Sequence, residues 1–224
     1  LTSPPGKIVS GSILIGNKNL QKLTDKDVRK IRLAEIALIP QGAMNSLNPV
    51  IRIDEQIMDG LMDHGVKDTK KGYKERVFAL LERVGLSRKV SRSFAHELSG
   101  GMKQRVAMAI ATCLSPSIIV ADEPTSALDV IVQRQVMITL GRLQEGLEAS
   151  VVLVGHDMAL VAQFADRIGV MYAGKMIELG DVREVFKNPY HPYTRMLIES
   201  LPDIEKKKAK LSGIEGLPPS LLNI

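Results

Sequence analysis

The chain has one cysteine, no tryptophan and only 4% aromatic residues. A single thiol, Cys113, excludes an internal disulfide, which fits a reducing compartment. It falls on the apolar face of a predicted helix, where a buried, inert thiol is expected. No apolar run approaches the roughly 18 residues of a membrane-spanning helix. Leu1–Gly11 lacks the charged start and apolar stretch of a secretory leader, so no secretory signal is expected in it. The scarcity of aromatic rings leaves poor material for stacking on nucleobases. Also absent from the 224 residues is any G-x-x-x-x-G-K-[ST] phosphate-binding loop. Gly6-Lys7 is no substitute, because Ile8 stands where serine or threonine is needed.

Charged residues make up 25% and hydrophobic residues 45%, the balance of a globular chain with a sizeable core. The net charge of +5 comes from dispersed basic residues. Their densest run, Lys206 to Lys210, lies in a polar tail, so a solvated surface is expected rather than a nucleic-acid interface.

Hydrophobic patterning predicts short strands on either side of a turn at Gly16-Asn17. A helix capped by Thr24 follows through Arg32, and then a strand over Glu35–Ile39 that Pro40 ends. Residues 53–97 carry no strong strand signal. Val77, Leu80, Leu81 and Val84 recur at helical spacing there, with Gly85 as a C-cap. The next helix runs from Gly100 to Leu114, with Val106, Ala109, Ile110, Cys113 and Leu114 facing inward. Ser117–Ala121 and Ser150–Val154 are continuous apolar runs, the pattern of parallel strands covered on both faces. Each precedes a helix, the first from Val130 to Leu143. A hairpin is expected around Ala173-Gly174. Prolines from Pro189 onward predict a broken, peripheral tail. Alternating strands and helices indicate an α/β fold with a mostly parallel sheet.

Two segments carry chemistry. Leu98-Ser-Gly-Gly-Met-Lys-Gln-Arg105 places a serine cap and two glycines at a helix start. Bare backbone N–H groups and the positive end of the helix dipole favour a phosphate there. By themselves these three residues fit an ordinary capped helix equally well. Ile118–Glu123 is an apolar strand ending in two acids, at the carboxyl end where α/β sheets collect ligands. Asp122 is suited to hold Mg²⁺, and Glu123 to orient or deprotonate an attacking water. Pro124 ends the strand, and a short loop carries Asp129 to the next helix. His156 and Gln41 each follow a predicted strand, which brings them to the same edge of the sheet.

In order, Gln41, Ser99-Gly100-Gly101, Asp122-Glu123, Asp129 and His156 resemble the motif set of the ATP-binding subunit of an ABC transporter. Gln41 resembles the Q-loop, Leu98–Arg105 the signature, Asp122-Glu123 the end of Walker B, Ser126–Asp129 the D-loop, and His156 the switch histidine. Ser46-Leu-Asn-Pro49, Asn188-Pro-Tyr-His-Pro-Tyr-Thr-Arg195 and Glu215–Leu222 resemble the dipeptide/oligopeptide/nickel importer group.

The resemblance implies a P-loop NTPase-like ABC ATPase domain over residues 1–187, lacking its first strand and P-loop helix. A helical subdomain would span about 42–115, a small antiparallel β part would accompany the core, and residues 188–224 would form a C-terminal extension. It implies ATP and Mg²⁺ as cofactors. Glu123, His156 and Gln41 would be catalytic, and Ser99, Gly100, Gly101, Gln104 and Asp129 would touch nucleotide. Asp122 and Gln41 would serve the metal. Expected partners are a second ATPase subunit, integral membrane permeases at the cytoplasmic face and, indirectly, an extracytoplasmic substrate-binding protein, with no nucleic acid. The alternatives are a non-transport ABC ATPase acting on nucleic acid or ribosomes, and a non-catalytic regulatory module.

The missing phosphate loop is expected to reflect an N-terminally truncated chain or a degenerate subunit. A P-loop lysine and its neighbouring amides supply most of a phosphate cradle. The 224-residue chain alone is therefore expected to bind Mg-ATP more weakly than micromolar and to show negligible ATPase activity. Titration calorimetry checks this, and micromolar affinity would overturn it.

Overall fold

The computed structural model describes Gly6 and residues 8–201. It divides into two compact units, Leu1–Val152 and Leu153–Ile224.

In the first unit, β1 (Leu14–Ile15) and β2 (Lys18–Asn19) form a short antiparallel pair around Gly16-Asn17. Helix α1 (Asp25–Ile31) starts as the sequence predicts. The Thr24 hydroxyl oxygen accepts the Asp27 N–H at 3.3 Å and donates to the Asp27 carboxylate at 2.7 Å. Strand β3 (Ile36–Ile39) runs to Pro40. A helical stretch follows, with α2 (Ile53–Asp63) and α3 (Lys70–Arg83). Gly85 closes α3 at φ +71°, a left-handed geometry that glycine adopts without strain. Helix α4 (Gly100–Ala111) leads to β4 (Ile118–Asp122), α5 (Val130–Leu147) and β5 (Ser150–Val154), a strand whose last two residues are counted with the second unit. The three strands form one sheet in the order β3-β4-β5.

Apolar side chains at helical spacing explain the packing of α2, α3 and α4. Ile53, Ile57 and Leu61 of α2 are buried together with Val77 and Leu81 of α3 and Val106 and Met108 of α4. Each such side chain contributes roughly 1.5–3 kcal/mol on burial.

The sheet corrects one expectation. Its strands are covered on one face, not both. Ala37, Ile39, Ile119 and Ala121 are sealed, whereas Leu38 is 58% exposed and Val152 is 52% exposed. Side chains alternate across a pleated strand, so a continuous apolar run looks the same whether one face or two are covered. Among the described residues, nothing seals the second face.

The second unit contains α6 (Met158–Phe164), the hairpin β6 (Arg167–Tyr172) and β7 (Lys175–Asp181), α7 (Val182–Lys187) and α8 (Pro192–Glu199). Ile168, Val182 and Val185 form its small core. The proline-rich segment is not simply a broken tail, because Pro192 occupies the first turn of α8, where its missing N–H costs nothing. The segment is tied to β7 by Glu178, whose two carboxylate oxygens accept the N–H groups of Tyr190 at 2.9 Å and His191 at 3.1 Å. The buried Thr194 hydroxyl lies beside this carboxylate and favours its charged form. Residues 202–224, including the Glu215–Leu222 run and the Lys206–Lys210 cluster, lie outside the described residues.

Burial pushes the Glu178 carboxyl up, but Thr194 and the two amides outweigh it, leaving the group below its ordinary value of 4.5. A lowered carboxyl stabilises the fold fully above its unfolded value and loses that contribution as pH falls through the folded one. Glu178→Gln is expected to raise hydrogen exchange at Tyr190 and His191 about tenfold at neutral pH. In the unsubstituted chain the same protection should fade only below pH 4.5.

Candidate functional site

The parallel register of β3 and β4 pairs Ile36 with Ile118 and Ile39 with Ala121. Chain leaving β3 through Pro40 therefore emerges beside chain leaving β4 through Asp122. At that edge Gln41 Nε2 donates to Glu123 Oε2 at 2.8 Å, across 82 residues of sequence. Glu123 sits at φ +43° and Ala127 at φ +62°, uncommon backbone for side chains of these types. Such strain persists where surrounding structure fixes it, and it clusters at functional sites. Here Pro124 and Thr125 are buried, the Ser126 N–H donates to the Glu123 carbonyl at 3.1 Å, and Gln133 Nε2 donates to the Thr125 carbonyl at 3.3 Å.

Asp129 caps α5, its Oδ1 accepting the N–H groups of Ile131 at 3.1 Å and Val132 at 3.0 Å. Ser99 caps α4, its hydroxyl oxygen accepting the Met102 N–H at 3.4 Å. The N–H groups of Gly100 and Gly101 head the helix, where the helix itself offers no acceptor. Ser99 is exposed, Gly100 half-buried and Gly101 buried. Gln104, one turn further on, is only 3% exposed, and its Nε2 finds no partner among the described residues.

Gln41, Ser99, Gly100, Gly101, Gln104, Asp122, Glu123 and Asp129 thus belong to one unit. His156 belongs to the other, exposed and two residues beyond β5. The carboxylates of Asp122 and Glu123 and the amide oxygen of Gln41 are hard oxygen donors, which suits Mg²⁺ completed by phosphate and water.

Motif reading missed the supports. Arg105 Nη1 donates to the Gly85 carbonyl at 3.1 Å and its Nε to the Gly101 carbonyl at 3.3 Å, joining α4 to the end of α3. Burial lowers the pKa of this guanidinium, which stays charged. Met44 and Leu128 flank Gly100, and Val132 flanks Gly101. Arg105 was visible as part of the motif but without a role; nothing local in the sequence marks Met44 or Val132.

Acids at the end of a parallel strand, a capped glycine turn and an amide bonded to one acid define a nucleotide-binding ATPase cassette. The ABC transporter family profile matches residues 2–126, and the profile for the oligopeptide/dipeptide transporter C-terminal region matches residues 177–224. The chain belongs to the ABC transporter family.

Similar proteins include the dipeptide transport ATP-binding protein DppD of Bacillus subtilis, 42% identical over 98% of this chain and 67% of that protein. The oligopeptide transport ATP-binding protein OppD of the same organism is 42% identical over 98% of this chain and 62% of its own length. The DppD protein of Lactococcus lactis is 40% identical over 100% of this chain and 64% of its own. The chain therefore spans about two thirds of these relatives. Among solved structures, the dimeric ATP-binding cassette MJ0796 bound to ADP and Pi superposes with a TM-score of 0.69 at 28% identity, covering 78% of this chain and 75% of that one. CbiO1 of Clostridium perfringens, part of the ABC transporter complex cbiONQ, gives 0.71 at 28% identity, covering 80% and 69%.

The double cap makes Asp129 structurally necessary whatever else it touches. Asp129→Ala is expected to destabilise the first unit by about 1 kcal/mol, whereas Asp129→Ser should retain most of that cap. Urea unfolding of the variants measures both.

Proposed function

We propose that this chain is the ATP-binding and hydrolysing subunit of an importer for peptides or nickel, working as one half of an ATPase pair beneath membrane permeases. The observation that carries the reading is the Gln41–Glu123 hydrogen bond, which joins the loop after β3 to the acid after β4. The C-terminal match and the peptide-transport relatives support the cargo class.

In the proposed cycle two ATPase subunits meet head to tail. Ser99, Gly100 and Gly101 of this chain present the α4 N-terminus to the γ-phosphate held by its mate, where exposed N–H groups and the helix dipole stabilise negative charge. On this chain's own face, Asp122 and the Gln41 amide oxygen would hold Mg²⁺, which when bound neutralises phosphate charge. Glu123 accepts the proton of the attacking water while the Gln41 amide fixes its carboxylate. His156 donates to the γ-phosphate, and Asp129 and Gln104 support the nucleotide-facing loops. Closure on ATP and reopening after hydrolysis would drive the permease.

The permease contact is assigned to the loop after Gln41. Beside it lies a cavity of about 380 Å³ lined by residues including Leu38, Pro40, Leu47, Ile51 and Ile110. Its apolar lining suits side chains from a short partner helix. Among the described residues no helix is long and apolar enough to cross a membrane. By likeness to the transport relatives, the reading puts the chain at the cytoplasmic face, beneath its permeases. A substrate-binding protein outside the membrane would deliver cargo. The helices between β3 and β4 reach only 14 residues, too short for the coiled coil that a nucleic-acid-acting ATPase would carry there.

Glu123→Gln keeps the hydrogen-bonding shape and removes the base. In a longer form of the protein that carries a phosphate-binding loop, it is expected to lower ATP turnover at least a hundredfold and to trap an ATP-bound dimer, read by size-exclusion chromatography with Mg-ATP. Near-normal turnover would refute the assignment.

A further inference from the structure

The two glycines of the α4 turn are not equivalent. A Cβ built on Gly101 would lie 2.4 Å from Val132 Cγ1, but 3.8 Å from Val132 Cβ and 4.0 Å from Cγ2. One methyl group therefore fills the space that a side chain at this position would need. A Cβ on Gly100 would meet Met44 Sδ at 3.1 Å and Leu128 Cδ2 at 3.2 Å, which are ends of flexible chains that can yield by a few tenths of an ångström. Gly101 is buried, and Gly100 is half-buried. Val132 is itself held, because its N–H is bonded to the Asp129 carboxylate at 3.0 Å. Its branched side chain has one strongly preferred rotamer in a helix. A continuous rigid path thus runs from Asp129 through the first turn of α5 and the Val132 methyl to the first turn of α4.

We propose that Val132 is the positioning residue that fixes the Ser99–Gly101 turn relative to Asp129, and that the absence of a side chain at 101 serves this seat rather than the approach of a nucleotide. The two surfaces offered to the mate's nucleotide, the α4 N-terminus and the Asp129 loop, then move as one body. The proposal rests on the reading given under Proposed function for its catalytic consequence, but its packing does not depend on that reading.

Thermal melting of this chain decides the packing. Steady-state ATP turnover by the chain assembled with its ATPase mate decides the consequence. Gly101→Ala is expected to lower both the melting temperature and kcat, the latter at least tenfold. Val132→Ala removes the colliding methyl and leaves the added Cβ in ordinary contact with Val132 Cβ at 3.8 Å. The double variant Gly101→Ala/Val132→Ala should therefore regain the stability lost by Gly101→Ala and recover kcat to within about threefold of Val132→Ala alone. Val132→Ala by itself should lower kcat with KM for ATP little changed, since the turn engages only on closure. Val132→Thr, which keeps two branches at Cβ, should restore kcat.

A double variant that melts like Gly101→Ala overturns the proposal. So does one that regains stability yet stays as inactive as Gly101→Ala, because the glycine would then be demanded by the nucleotide. An unsubstituted assembly without ATP turnover would count against the proposed function, while melting would still decide the seat.

Discussion

The parallel pairing of β3 with β4 is the constraint on which the site depends. With Ile39 opposite Ala121, the residues just beyond each strand leave the sheet side by side. Parallel strands put their carboxyl ends at one edge, so an amide from one segment and acids from another converge there without either being close in sequence. The 2.8 Å bond between Gln41 and Glu123 is the direct consequence. Slipping β3 by one residue against β4 would turn Ile39 outward and separate the pair.

Around that edge the protein spends rigidity. Glu123 and Ala127 occupy left-handed backbone, a conformation that ordinarily costs about 1 kcal/mol or more per residue. It is held because Pro124 and Thr125 are buried between them and because the helix that follows is doubly capped by Asp129. On the other side, Arg105 ties α4 to the end of α3. Between these anchors the α4 turn keeps its N–H groups at a helix start while its second glycine is filled against by Val132. The outcome is a surface of amides, acids and one amide side chain with little freedom to rearrange, the preorganisation that charge stabilisation needs.

Much of this was legible in the residues. Thr24, Ser99 and Asp129 announce helix starts because a short oxygen-bearing side chain at such a position has one good use. Gly85 announces a helix end for the matching reason. The order of Gln41, the Ser-Gly-Gly turn, Asp122-Glu123 and Asp129 carried the resemblance to the family to which the chain belongs. The covering of the sheet was not legible, since Leu38 and Val152 are as apolar as their buried neighbours and only the pleat tells them apart. Nor was Glu178, an acid in an otherwise ordinary strand, which gains meaning only when α8 brings two amides to it.

Local chemistry in the chain determined where helices and strands begin and end, which residues are acids, amides and bare amide-bearing glycines, and the family to which they belong. Tertiary structure alone decided which of them touch. Whether Gln41 reaches Glu123, and whether Val132 rather than some other side chain fills the place left open at Gly101, depends on register and helix packing between segments tens of residues apart. No pattern within a single segment encodes that distance, because it is set by the shapes of both partners at once.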